Sequence, residues 1–526
     1  RRQRQMCIRD SDTTDATITG STLKNNGEVT GNKNVGGIFG SATSNVIIEK
    51  TSVINSVNGS VTGNVNVGGL IGSNAATITG GRNEDVEMDT EDNVTAEADS
   101  YYKYQIYNNG TITVTGSGTN IGGLIGNNYA DGTLTAGYNT GAINAEGSTN
   151  VGGIAGSNSG IIDQVFNTVM TADGTNETIT GGTNVGGLVG NNATDGELSN
   201  AYNTTDVIGT TNVGNAVGTN GGTISNIYAT NTTGNLIGEN TNVDPDAIQN
   251  AYSFSNADTE NEIGVKVIDD NNQKNSGSYG DFDFEGKEDG KADWKIYEGY
   301  GNPLLKVFLT NLTVKDENEQ GEKLDDHLNL VYNAGEQDLN IADLIDKGFI
   351  TAPIEKDNEG NVIFDGLAAY KNTKEENSQF GNSDLLANTK GQENAGTHDN
   401  WLYSGQIADG SKDGSFNPNN LGYDIEYSNT TGTDTGITID KAQITISLDE
   451  INRVYGNATI NNVVTGGHDY GYNFDTSNVG MNNDLKAEIE DALSFTQKSD
   501  GAVDGVTGNK VTNDVKEGGY LSLIHI

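Results

Sequence analysis

Six copies of one glycine-rich phrase in the first half of the chain restrict its fold more than any other feature. The phrase reads Asn34-Val35-Gly36-Gly37-Ile38-Phe39-Gly40, then Asn66-Val67-Gly68-Gly69-Leu70-Ile71-Gly72, then Asn120-Ile121-Gly122-Gly123-Leu124-Ile125-Gly126. Further copies run from Val151 to Gly156 (with Gly152 and Gly153), from Val185 to Gly190 (with Gly186 and Gly187) and, degenerate, from Val213 to Gly218 (with Gly214). The first glycines fall at 36, 68, 122, 152, 186 and 214, so the spacings are 32, 54, 30, 34 and 28 residues. A period near thirty predicts stacked supersecondary units rather than one closed globular core.

The rest of each repeat says what the unit is. Gly132-Thr133-Leu134 leads to Tyr138-Asn139-Thr140-Gly141, then Ala142-Ile143, then Val151-Gly152-Gly153-Ile154, and Gly196-Glu197-Leu198 and Gly222-Thr223-Ile224 open later units in the same order. Three short apolar pieces separated by Asn, Gly, Thr and Asp are too short and glycine-rich for helices. Three strands and three turns per unit describe a parallel β-solenoid of roughly seven or eight coils between Asp12 and Asn256, on the order of 35 Å long. Glycine is expected where the wall bends, since it alone takes positive φ without cost and permits close backbone approach. Val, Ile and Leu should form inward ladders, and Asn at matching positions should hydrogen-bond up the stack.

The Gly-Gly-Leu-Ile/Val-Gly phrase with its Tyr-Asn-Thr-Gly turn resembles the GLUG repeat of large bacterial surface proteins, among them filamentous-haemagglutinin-like adhesins and some immunoglobulin-A-cleaving metallopeptidases. The resemblance implies an all-β, right-handed β-helix-like solenoid over residues 11–255. The stretch Phe282-Asp283-Phe284, Trp294-Lys295-Ile296 and Gly299 to Lys306 is similar to the segment that closes such arrays, which implies a cap over residues 256–309 covering the open strand edge.

Length and composition fit a secreted, extended protein. With 33% hydrophobic residues, 72 Gly and 4 Pro among 526 residues, no single large core is available and several modules are expected. Lys plus Arg of 29 against Asp plus Glu of 73 leaves a net charge of −44. That charge repels nucleic acid and anionic membranes, so neither is expected as a direct partner. No apolar run approaches the roughly 20 residues that span a bilayer.

The two ends differ from what lies between. Four of six arginines are Arg1, Arg2, Arg4 and Arg9, and the single cysteine is Cys7. Residues 1–10 and 521–526 resemble translated sequencing-adapter reads, so both are set aside as artificial tails of an internal fragment. Without Cys7 no disulfide or thiol chemistry is available, which leaves the compartment open.

Beyond the cap the composition becomes more charged. Leu328 to Gly335 reads as a strand and turn, Ile341 to Gly348 as a short helix stopped by glycine, and Ile437, Ile439, Ile444, Ile446 and Leu448 as strand alternation across Asp440-Lys441-Ala442. Lys441-Ala442-Gln443-Ile444-Thr445-Ile446 followed by Val454-Tyr455-Gly456-Asn457-Ala458 resembles the opening of an MBG domain of the Tyr-Gly type. Ala395-Gly396-Thr397, Gly422-Tyr423-Asp424-Ile425 and the closing Lys441-Ala442 are similar to the YDG and MBG units of the same adhesins. The resemblance implies one β module over 310–440 and a second, truncated one over 441–520. Asp484 is placed to N-cap a helix with Leu485, Ile489 and Leu493 on one face, so the last module is expected to pack one helix on a sheet in a β-grasp-like fold.

The sequence holds few candidates for chemistry. His327, His398, His468 and His525 have no metal-ligand spacing, and there is no His-Glu-x-x-His, Gly-x-Ser-x-Gly or Gly-Lys-Ser/Thr motif. The Gly36 to Gly40 phrase is superficially similar to a dinucleotide loop, but six repetitions without a following helix make it structural. Polysaccharide lyases set arginine or lysine against a substrate carboxylate; outside the tails the only arginines are Arg82 and Arg453, and although lysine could substitute, a chain at −44 would repel polyanionic substrates. A carboxylate pair for glycoside hydrolysis is recognised by geometry, which sequence does not give. No catalytic residue and no cofactor is expected, and metal binding is left open.

The 54-residue spacing holds an acidic insertion at 81–104, with Glu84-Asp85-Val86-Glu87-Met88-Asp89-Thr90-Glu91-Asp92 and Tyr101-Tyr102-Lys103-Tyr104. It reads as a solvated loop or diverged coil in preference to a calcium or ligand loop, because no known calcium-loop spacing is present. Tyr138, Phe166, Tyr202 and Tyr228 recur once per coil and read as a stacking ladder in preference to a sugar platform. The expectation is a fragment of an extracellular or cell-surface bacterial adhesin without enzymatic activity, whose partners are host glycoprotein, mucin or glycan and, at export, an outer-membrane secretion component. The alternatives are the noncatalytic stalk of a secreted peptidase or glycan-degrading enzyme, or a matrix scaffold.

Overall fold

A computed structural model describes residues 16–81, 104–168, 178–255, 264–284, 292–298, 301–331 and 338–351, and short strands from there to residue 525. Its first half is a parallel β-solenoid built on two sheets, one of 12 strands and one of 16. A representative coil runs through Thr133–Asn139 in the first sheet, then Ile143–Asn144, Thr149–Gly152 and Ala155–Asn158 in the second, before Ile161–Asn167 begins the next. Each strand pairs in parallel with its equivalent in the neighbouring coils: Leu134 lies beside Ile162, which lies beside Leu198, then Ile224, then Ile248. The first sheet has nine rungs, from Ala16–Ile18 to Val265–Val267, a stack about 38 Å long at about 4.8 Å per rung.

The expected three strands per coil become four, because the glycine phrase splits the last. At Gly152 the chain turns so tightly that an added Cβ would lie 2.1 Å from the carbonyl oxygen of Ala155. The phrase glycines stand in this bend as expected, but for close approach and not for positive φ. None of the paired phrase glycines takes positive φ; the preceding asparagines do, with Asn34, Asn66, Asn120, Asn150, Asn184 and Asn212 between 50° and 58°. Asparagine tolerates this region better than other non-glycine residues because its short amide bonds locally. A second left-handed column, Lys50, Ala136, Gln164, Asn200, Asn226 and Asn250, bends the first sheet.

Inward aliphatic side chains form two columns. The larger contains Leu70, Leu124, Ile154, Leu188 and Leu236 together with the Leu134 to Ile248 row. The smaller contains Val61, Ile112, Ile143 and Ile179 beside Val67, Ile121, Val151 and Val185. All are at most 3% exposed, so each contributes on the order of 1.5–3 kcal/mol of burial.

Beyond the solenoid, the expected end cap has a different position. Val265–Val267 form the last rung, and the described residues between 276 and 309 run back along the flank of the rod. Tyr279 meets Tyr228 and Tyr252, Trp294 meets Tyr202 and Tyr228, and Phe308 stands edge-on to Tyr138 and Phe166. The described part of this segment is a strap over side chains on the flank.

The following small β module has its own core of Leu312, Val314, Leu344, Phe349, Ile425 and Ile437. Thr310–Lys315 pairs in parallel with Tyr423–Ser428 and antiparallel with Ile350–Thr351. Ile341–Asp346 is the expected short helix, with Gly348 at φ 80°. Leu328, read above as strand, instead ends the helix Leu324–Leu328; Leu330–Val331 are strand, and residues 332–335 lie outside the described residues. Ile437–Asp440 and Thr445–Leu448 are strands of different sheets. The helix expected at 484–493 lies outside the described residues, and Tyr520–His525 pairs antiparallel with Ser494–Ser499.

Candidate functional site

The glycine pairs serve close approach. A Cβ on the first glycine of the phrase would strike the chain's own turn and the next coil: for Gly36, Gly68, Gly122, Gly152, Gly186 and Gly214 the nearest atom is a carbonyl oxygen 2.0–2.1 Å away. A Cβ on the second glycine would strike the carbonyl of the next coil, at 2.4 Å for Gly37, 2.2 Å for Gly69, 1.9 Å for Gly123 and 2.1 Å for Gly153 and Gly187. At Gly69, Gly123, Gly153 and Gly187 it would also strike a buried asparagine side chain. These residues build the rod and bring no chemical groups together.

The asparagines they abut form ladders. Asn25 donates to Asn55, and the chain of amides continues through Asn108, Asn139, Asn167 and Asn203 at 2.7–2.8 Å, ending in a stretched 3.3 Å bond to Asn231. A second ladder joins Asn74, Asn128, Asn158, Asn192, Asn220 and Asn240 in the same direction. The left-handed asparagines form a third whose donors point the opposite way, from Asn66 to Asn34 and so on to Asn212. The first two ladders also satisfy corner backbone groups: Asn139 Nδ2 donates to the Gly141 carbonyl, and Gly141 N–H donates to Asn139 Oδ1. Buried amides are tolerated there because each finds its partners.

On the outer face of the first sheet, Tyr107, Tyr138, Phe166, Tyr202 and Tyr228 stack with centroids 4.9–5.1 Å apart and planes within 9°. This is the stacking ladder read from the sequence. Its rings are at most 6% exposed, and burial pushes the Tyr107 hydroxyl up to about 12 and those of Tyr138, Tyr202 and Tyr228 well above their ordinary range. They are neither acid–base groups at neutral pH nor an accessible sugar platform. The strap holds its place with directed bonds: Gln164 donates to Asp293 at 2.8 Å, Trp294 Nε1 to Asn200 at 3.2 Å, and the Tyr228 hydroxyl to the Pro303 carbonyl at 2.6 Å.

One buried charge joins strap and β module. Asp424, 1% exposed, is ion-paired with Lys295 at 3.3 Å through one oxygen and with Lys306 at 3.0 Å through the other. Beside it the Tyr297 hydroxyl donates to the Tyr423 carbonyl at 2.6 Å and accepts from Ile425 N–H at 3.1 Å. Sequence reading missed this clasp, which joins positions more than a hundred residues apart.

Among the described residues no group of three or more His, Cys, Asp or Glu side chains could hold a metal ion, and no helix is long and apolar enough to cross a membrane. His327 sits 2.6 Å from Asp343 and 3.3 Å from Glu322, and these carboxylates, Asp343 foremost, raise its pKa above the ordinary 6.5. The acidic insertion leaves the rod through a neck where Gly81 and Tyr104 exchange backbone hydrogen bonds. Residues 82–103, with the carboxylates considered for calcium, lie outside the described residues. Comparison of the chain with protein-family models, curated proteins and solved structures returned no match.

Proposed function

We propose that the chain is the rod and adjoining β modules of a GLUG-type bacterial surface adhesin, acting by display and not by catalysis. The observation that carries this reading is the continuous mechanical path from coil to module. Asparagine ladders tie each coil to the next, the strap ties the flank across the aromatic rungs, and the Asp424 clasp ties strap to module. A stiff rod keeps binding surfaces away from a cell, and many weak contacts along it sum by multivalency. Host glycoprotein, mucin or glycan is the proposed partner class, and the cell surface or exterior the proposed location. The net charge of −44 weighs against nucleic acid and anionic membrane.

The test passes the full chain over immobilised mucins and serum glycoproteins and assays retained protein and released fragments together. Saturable retention without release is expected. Fragment release would overturn the noncatalytic reading, and absence of retention would favour a stalk or scaffold.

A further inference from the structure

The corners between the inward residues of the second sheet are not all the same length. Val61 to Val67, Ile179 to Val185 and Val207 to Val213 are each six residues apart, but Ile112 to Ile121 is nine and Ile143 to Val151 is eight. The two long corners belong to adjacent coils. The first breaks register between Val114 and Thr119, and both turn through positive-φ glycines, Gly116 at 94° and Gly147 at 73°. Their protrusion beside the short corner that carries Thr180 leaves an open groove of about 660 Å³.

The lining differs from the rest of the rod. Thr113, Asn144 and Thr180 are register neighbours on three successive coils, so they span about 10 Å along the axis. Ser117 and Glu146 stand on the protruding corners. Among the described residues, Thr113, Ser117, Asn144 and Glu146 make no side-chain hydrogen bond, whereas the asparagines of the ladders are committed to one another. The walls are nevertheless fixed: Gly118 N–H donates to buried Ser148 Oγ at 2.9 Å, and Ala145 N–H donates to the Thr180 carbonyl at 3.1 Å. Uncommitted polar groups on a fixed frame bind with little ordering cost.

The chemistry selects the ligand class. Hydroxyl, amide and carboxylate together supply donors and acceptors, which suits a ligand whose own groups are both. Among the described residues no cation lines the groove and the one charge is a carboxylate, so sialylated, sulfated or uronic-acid chains are repelled. Around it, every strand of the second sheet between residues 60 and 220 lacks charged residues, in a chain of net charge −44. We infer that this groove binds a neutral polysaccharide chain laid along the rod axis. The inference rests on the adhesin reading and gives it a site and a ligand class.

The experiment measures retention of the full chain on immobilised α-mannan, β-glucan and galactan, with sialylated mucin, heparin and an enzymatically deglycosylated mucin in parallel. S117A/N144A removes two hydrogen-bonding groups, S117W fills the groove, and E197Q on the other sheet is the control; circular dichroism confirms that each variant folds. Retention on at least one neutral polysaccharide is expected, at least tenfold weaker in S117A/N144A and in S117W and unchanged in E197Q. Equal retention of all variants overturns the groove and leaves the adhesin reading standing, as does retention confined to deglycosylated mucin. Retention only on sialylated or sulfated ligands overturns the neutral class. No retention on any surface overturns both readings.

Discussion

Replacing Asn167 with alanine tests whether the amide ladder holds the stack together. Asn167 is fully buried, accepts from Asn139 at 2.8 Å and donates to Asn203 at 2.8 Å. Both partners keep a second bond, Asn139 to the Gly141 carbonyl and Asn203 from Thr205 N–H, so neither amide is orphaned. The loss is then two net hydrogen bonds, about 1 kcal/mol each. About 1 kcal/mol more comes from the cavity, because the Gly153 backbone that abuts the amide has no side chain to fill it. The sum is about 3 kcal/mol, roughly 100-fold in local opening. Coils of a solenoid contact chiefly their neighbours, so the effect should be local. Hydrogen exchange should speed up about that much over the strands Thr133–Asn139, Ile161–Asn167 and Glu197–Asn203 and much less near Ser21–Asn25. The control is Asn191→Ala, which loses one 3.3 Å bond to Ser157 on the outer face and should cost about 0.5 kcal/mol. If the two variants exchange alike, the ladder does not stabilise the coils and the reasoning fails.

Asn150→Gly should be less destabilising than Asn150→Ala, because φ 57° strains alanine by about 1 kcal/mol while both lose the same bonds; equal melting temperatures would contradict this. Gly153→Ala should destabilise by about 3 kcal/mol or more, since the new methyl meets a backbone carbonyl at 2.1 Å that cannot rotate away, and urea midpoints measure it. Asp424→Asn should cost about 2 kcal/mol, the low side for a broken buried pair because both lysines keep about a quarter of their side chains in water; limited proteolysis should then cut between strap and module sooner. His327 has a raised folded-state pKa, so its contribution is complete below pH 6.5 and is lost as pH rises through the higher folded value; His327→Gln should flatten that slope in melts between pH 6 and 8.

How much of this was legible in the sequence depended on range. The in-register glycine phrase and the recurring Tyr, Asn and Leu positions specify a stacked parallel coil, because each coil pairs with its own copy. The division of labour inside the phrase was not legible: Asn-Val-Gly-Gly places the bend on either residue type, and only the backbone shows asparagine in the left-handed region with glycine against the neighbouring coil. The strap was read as an end cap because Phe282-Asp283-Phe284, Trp294-Lys295-Ile296 and Gly299 to Lys306 resemble the segment that closes such arrays, and their aromatic residues advertise burial without saying against what. Lys295, Lys306 and Asp424 carry no local signal, since their contact is made by folding over more than a hundred residues. The groove did have a signal, the longer corners at 112–121 and 143–151, hidden because the glycine spacing alone was counted.

The most direct test of display displays the full chain at graded densities on a non-adherent bacterium and counts cells held under flow on glycoprotein-coated glass. Adhesion should rise more steeply than in proportion to surface density, as summed weak contacts require, and should be competed by soluble chain. Adhesion no greater than that of parent cells at every density would contradict the account.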